Sequence, residues 1–224
     1  MLKGAEFEKS REEKLIGIKT IISDWSGVFS DDRKPVYEAN MRVIEKHGKI
    51  RVSFDEWLPI TRLTPVELFK DFGIDDDHDV LFEEYRKTYS QVRREGIHPV
   101  AYPDVKDFLT GLKAKRIPIV VVSSHPEQNL RTEAIEYGID HYFEGFYGNL
   151  KDKAAAIQMV CGLKNIHPSS TAYIGDTIYD VQEAKKAEAK SVAVATGYHV
   201  RKRLAEENPD LLLNSLSELI NKLI

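Results

Sequence analysis

The stretch Thr20-Ile-Ile-Ser-Asp24-Trp-Ser26-Gly-Val-Phe29 carries an apolar run into a glycine-containing turn and leaves one aspartate at the junction. Such a run, bounded by polar and glycine residues, reads as a buried strand that ends at a carboxylate. In doubly wound α/β folds, ligands collect outside the carboxyl ends of the strands, so Asp24 stands where chemistry would happen. Far downstream, Ile174-Gly-Asp176-Thr-Ile-Tyr-Asp180 repeats the pattern. Two such groups, about 150 residues apart, predict a single Mg²⁺-and-phosphate site assembled by folding.

Outward from these two anchors, short β-branched runs alternate with amphipathic helical stretches, the signature of a parallel sheet with crossover helices. Strands are predicted at residues 18–24, 117–123, 142–147, 171–175, 191–195 and 211–213. Val105, Phe108, Leu109 and Leu112 repeat at helical spacing, as do Leu130, Ala134 and Ile135 before a stop at Gly138. Residues 154–161 and 181–189 give two more helices, whose N-termini would point at the site. From Arg33 to His98 the alternation lapses and only helical patterns occur. The predicted organisation is therefore a core of residues 1–32 and 99–224 with a helical cap, residues 33–98, inserted after the first strand and hinged at both ends. Asp75-Asp76-Asp77 before His78 lacks the spacing of a calcium loop and reads as a helix-capping turn.

The chain of 224 residues, with 42% apolar and 30% charged residues, is long enough to bury a substantial core. A net charge of −4 argues against a nucleic-acid binder dominated by phosphate contacts. Cys161 stands alone, so no intramolecular disulfide or thiolate metal site is expected, and it reads as a small buried hydrophobe. No stretch approaches the roughly 18 apolar residues of a membrane span, and residues 1–14 are charged, without a signal-peptide core. A cytoplasmic protein without membrane or nucleic-acid partners, monomeric or homodimeric, is expected.

Four pieces occur in order: Asp24 after the first strand, Ser123-Ser124 after Ile119-Val-Val-Val122, a lysine at Lys151 or Lys153, and Gly175-Asp176-Thr-Ile-Tyr-Asp180. Together they resemble the haloacid dehalogenase superfamily, and the tail from Val192-Ala-Val-Ala-Thr-Gly-Tyr198 through residue 212 is similar to its phosphoglycolate phosphatase and β-phosphoglucomutase branch. The resemblance implies a Rossmann-like core and a Mg²⁺-dependent phosphatase acting on a small phosphorylated substrate. Asp24 would be the nucleophile that forms an aspartyl phosphate. Mg²⁺ would be held by Asp24, the backbone carbonyl of Ser26 and Asp176, with Asp180 ligating directly or orienting a bound water. Ser123, with Ser124 and nearby N–H groups, would grip the phosphoryl oxygens, although the same serine can cap the helix before Pro126. Lys153 matches the family's cation better than Lys151, and Asp152 can cap the helix that follows.

One position departs from the family pattern. Phosphatases of this kind usually carry a second aspartate two residues after the nucleophile, where this chain has Ser26. A serine hydroxyl is too weak an acid for that task, and general acid-base catalysis is worth roughly 10² to 10⁴ in rate, so slow turnover of alkyl phosphates is expected. The substrate could be an acyl or aryl phosphate that needs little protonation. Another group, His125, His199 or His47, could substitute. Alternatively the chain is a phosphate-binding or regulatory relative with vestigial catalysis. A metal-free 2-haloacid dehalogenase is a further alternative, against which the retention of Asp176 and Asp180 counts. Arg51, Trp57, Arg62 and Arg86 are cap residues that could read a substrate, the stripe Leu81, Tyr85 and Tyr89 reads as cap packing, and Trp25 could line the pocket mouth or wedge between sheet and cap.

Overall fold

In the computed structural model, residues 14–224 are described. The lead-in, residues 1–13, lies outside them, and with it most of the charged segment read above.

Six strands form one parallel sheet: β1 (Thr20–Ser23), β4 (Ile119–Val122), β5 (Phe143–Tyr147), β6 (Thr171–Gly175), β7 (Lys190–Val194) and β8 (Leu211–Leu213). Their spatial order is β5-β4-β1-β6-β7-β8. The order reverses at β1, with β4 pairing on one side (Ile22 opposite Val120) and β6 on the other (Ile22 opposite Tyr173). All six strands fall where the β-branched runs predicted them, each within two residues of the expected ends. The architecture is the expected doubly wound, Rossmann-like α/β fold.

Alternation along each strand sends side chains to opposite faces. Ile21, Val121 and Ile174 point to one apolar layer, shared with helices α5 (Val105–Lys115) and α6 (Glu127–Glu136). Ile22, Val120, Val122 and Tyr173 point to the other, shared with α7 (Lys153–Lys164) and α8 (Ile178–Lys186). Two short elements, α9 (Arg201–Glu206) and α10 (Ser217–Ile220), close the C-terminal edge, where Leu204 and Leu219 are fully buried. Trp25 lies in the first layer, against neither a pocket mouth nor the insertion. Its indole packs on Phe29, Tyr137, Phe143 and Phe146 and donates to Glu133 Oε2 at 2.8 Å. Its size and one polar tip suit a core with a single buried acceptor.

Between β2 (Ser30–Asp31) and β3 (Val100–Ala101), which pair antiparallel as a small ribbon, the chain is helical: α1 (Arg33–Lys46), α2 (Phe54–Trp57), α3 (Pro65–Asp71) and α4 (His78–Arg94). Sequence reading gave hinges where the ribbon stands, because two-residue strands leave no periodicity to detect. These helices share an apolar centre of their own, including Met41, Ile44, Trp57, Phe69 and Leu81. Trp57 and Leu81 are therefore packing residues, Tyr85 packs against them, and the rings of Tyr85 and Tyr89 lie 6.0 Å apart, tilted by 30°. Asp77 caps α4 by accepting the N–H groups of Asp79 and Val80. Arg51 pairs with Glu38 and Glu45, Arg62 with Asp71, and Arg86 with Glu83. Those three arginines meet carboxylates within the insertion, Arg62 and Arg86 at exposed positions.

Candidate active site

Asp24 follows β1 directly, and Asp176 and Asp180 follow β6, so the adjacency of the two strands brings together carboxylates distant in sequence. One oxygen from each of the three lies within 4.8 Å of the others, and all three side chains are buried. Lys153, at the start of α7, is buried among them, with Nζ 2.5 Å from Asp24 Oδ2 and 2.6 Å from Asp180 Oδ1. Lys151 is exposed and contributes only a backbone carbonyl, which accepts the Tyr179 hydroxyl.

The donors around each carboxylate differ. Asp180 is saturated: Oδ1 accepts Lys153 and the Tyr173 hydroxyl, and Oδ2 accepts the N–H and hydroxyl of Thr177 in a capping box at the start of α8. Burial pushes the Asp180 carboxyl up, but the adjoining ammonium and these hydrogen bonds outweigh it and the net direction is down. Asp24 Oδ1 accepts the Trp25 N–H at 2.8 Å. Asp176 Oδ2 accepts the Tyr198 N–H at 2.7 Å, and among the described residues no donor reaches Oδ1. Burial, then Asp180 and Asp24, hold the Asp176 carboxyl well above its usual range. Burial works against the Lys153 ammonium, yet Asp180 and Asp24 raise it well above an ordinary lysine.

With all three carboxylates ionised, one ammonium would leave about two negative charges without a counterion, the demand a hard divalent cation with oxygen ligands meets. The surrounding backbone is shaped for close approach. A Cβ built on Gly27, whose φ is +72°, or on Gly197 would fall 2.2 or 2.0 Å from Asp176 Oδ2, and one on Gly175 would fall 2.2 Å from Asp180 Cβ. The donor set and this tight cradle both fit a bound divalent metal.

Ser123 is buried at the end of β4, the strand that pairs with β1, and Ser124 is exposed. Ser123 does not cap α6: the cap position is Pro126, and Ser123 Oγ instead accepts the His125 N–H at 3.3 Å. Its hydroxyl proton is left to point elsewhere. The turn leading to Lys153 clasps this loop through Asn149 N–H to His125 O (2.8 Å) and Leu150 N–H to Ser123 O (3.1 Å). Asp152 caps α7 as expected. Cys161 is buried, 3.4 Å from the Thr171 hydroxyl, as a small core residue.

Ser26 holds a partner that the sequence did not disclose. Its hydroxyl donates to Asp32 Oδ2, while the Tyr198 hydroxyl donates to Asp32 Oδ1 at 3.0 Å. Asp32 is buried at the foot of the insertion. Burial pushes its carboxyl up, and the nearby His125 and the two hydroxyl donors pull it partly back. Of the histidines weighed as substitutes, His199 accepts the Ile178 N–H at 2.9 Å through Nδ1, which engages it in capping α8. His47 bonds Glu84 within the insertion. Asp31-Asp32 read as a hinge in the sequence, and the available signal was an acid six residues past Ser26 at the point where the chain turns back.

An open α/β sheet with carboxylates gathered at the switch point between its central strands defines a class of enzyme that works at strand ends. The sequence profile described as haloacid dehalogenase-like hydrolase matches residues 21–194, and the chain belongs to that family. It is 25% identical over 218 residues to a phosphoglycolate phosphatase of Photobacterium profundum, covering 92% of this chain and 95% of the relative. It is 28% identical over 124 residues to the phosphoglycolate phosphatase of Haemophilus influenzae (strain 86-028NP), a match that spans 53% of this chain and 55% of that protein. A crystal structure described as a predicted phosphoglycolate phosphatase from Haemophilus somnus 129pt superposes with a TM-score of 0.77 at 19% identity, covering 92% of this chain and 97% of that one. Among the described residues no helix is long and apolar enough to cross a membrane.

Proposed function

We propose that the chain is a Mg²⁺-dependent phosphatase that hydrolyses a small phosphorylated metabolite through an aspartyl phosphate on Asp24. The observation that carries this reading is the buried cluster of Asp24, Asp176 and Asp180, with Lys153 bridging Asp24 and Asp180. Phosphoryl transfer asks for in-line positioning and for charge neutralisation at the equatorial oxygens. Asp24 supplies the attacking oxygen, Lys153 a fixed positive charge beside it, and Ser123 a hydroxyl donor for a phosphoryl oxygen. Asp180, whose oxygens are already occupied, holds Lys153 in position. Asp24, Asp176 and the Ser26 carbonyl would hold Mg²⁺, which when bound neutralises charge on the transferring group. Residues 33–98 act as a cap that closes over this end of the sheet and excludes water, with residues 1–32 and 99–224 as the catalytic core.

With Ser26 in place of the usual acid, alkyl phosphates should turn over slowly and acyl or aryl phosphates faster. The test is a screen of phosphomonoesters, acyl phosphates and a short 2-haloacid, with and without Mg²⁺, against an Asp24→Asn control. Mg²⁺-dependent phosphate release that Asp24→Asn abolishes is the expected result. Tight binding of phosphorylated ligands without turnover would favour a regulatory protein, and metal-free halide release a dehalogenase. Either outcome would overturn the proposal.

A further inference from the structure

Resting on the phosphatase reading, we infer that Asp32 is the positioning residue for hydrolysis of the phosphoenzyme, acting through the Ser26 hydroxyl. Four observations converge on it. Ser26 occupies the position two residues beyond Asp24, on the same turn as the nucleophile. Its hydroxyl hydrogen is directed at Asp32 Oδ2, so the oxygen keeps lone pairs with which to accept a proton. Asp32 is buried, and its other oxygen is fixed by the Tyr198 hydroxyl. Neither of those hydrogen-bond partners is a cation, and among the described residues Asp32 forms no salt bridge, so the carboxylate is not consumed structurally as Asp31 is by Arg33.

The step balances as follows. Water attacks phosphorus and the bond from phosphorus to the Asp24 carboxylate oxygen breaks, returning its electron pair to Asp24. The water proton passes to Ser26 Oγ as the Ser26 proton passes to Asp32 Oδ2. The acetate that departs from acetyl phosphate needs no proton, so formation of the phosphoenzyme does not call on Asp32, which assists breakdown and not formation. A serine and a distant carboxylate thereby divide between them what a single aspartate does at this position in relatives, but only for the second half of the reaction.

His125 is the rival, because it lies close enough to Asp32 to influence its charge. The experiment is rapid-quench kinetics with ³²P-labelled acetyl phosphate at saturating Mg²⁺, comparing wild type with Asp32→Asn, Ser26→Ala and His125→Gln. Asp32→Asn should form phosphoenzyme within about threefold of the wild-type rate, while breakdown falls by about 10²-fold, so that labelled protein accumulates toward one equivalent. Ser26→Ala, which leaves Asp32 and its Tyr198 contact in place, should trap the same species. A retained burst proves the variant folded and active, which a merely structural role for Asp32 would not leave split in this way. Equal losses in both steps, no change in either, or trapping by His125→Gln alone would overturn the inference while leaving the phosphatase standing. Failure of the wild type to label would overturn both.

Discussion

Replacing Lys153 by methionine keeps the length and apolar stem of the side chain and removes its charge from the centre of three buried carboxylates. Each contact, at 2.5 and 2.6 Å, is worth about 6 kcal/mol of gross attraction at an effective dielectric constant of about 20, most of it offset by the cost of burying the ammonium. What remains is the cost of orphaning the partners, which for a buried pair broken on one side is about 3–5 kcal/mol. For a chain of this size that corresponds to a drop in melting temperature of about 6–20 °C. Thermal unfolding followed by circular dichroism in EDTA should show this loss. Adding Mg²⁺ should then raise the melting temperature of Lys153→Met by more than it raises that of the wild type, because a divalent cation supplies the missing positive charge. A variant that melts with the wild type in EDTA, or that gains no more than the wild type from Mg²⁺, would refute the electrostatic account of this cluster.

Gly197→Ala should weaken Mg²⁺ binding by about 10- to 100-fold in isothermal titration, because its methyl would sit 2.0 Å from Asp176 Oδ2, and unchanged affinity would remove the cradle argument. Ser26→Asp should raise turnover of alkyl phosphates more than of aryl phosphates, by up to about 10²-fold, and an equal effect on both would show that protonation of the departing oxygen is not limiting. His199 is held down to about 4 by burial and by Arg203, against 6.5 for the free side chain. The unfolded chain therefore binds the extra proton first, so stability is full above about pH 6.5 and falls as pH drops toward 4, by at most about 3 kcal/mol. Urea unfolding of wild type and His199→Asn should lose this difference between about pH 7 and about pH 4.5, and parallel curves for the two proteins would exclude His199 as its source.

How far the sequence could be read depended on how local each signal was. Central strands such as Ile119–Val122 are buried on both faces and announce themselves as unbroken β-branched runs, and Asp24 and Asp176 are marked by the apolar segments before them. Lys153 and Lys151 differ by two places on a helix start, and the resemblance to the family favoured the residue that the fold buries. Asp32 escaped because its meaning lies in a contact with Ser26 made by a ribbon of two-residue strands, for which no periodicity exists. Trp25 was misjudged for a related reason: its neighbours Phe143, Phe146 and Tyr137 arrive from beyond β4, and nothing beside Asp24 in the chain names them. Arg51, Arg62 and Arg86 could not be told from ligand-reading arginines until their carboxylate partners were seen.

Tyr198 touches three otherwise separate neighbourhoods: its N–H meets Asp176, its hydroxyl meets Asp32, and its ring lies 6.1 Å from that of Trp57 in the heart of the insertion. Besides the ion pairs of Arg93 with Glu133 and Glu136, the helical unit is therefore keyed to the sheet by an aromatic bolt whose two polar ends are already spoken for. Swinging the helices outward would draw that bolt and loosen the grip on two acids at once, so the geometry of both acids is coupled to how the two parts of the molecule sit together.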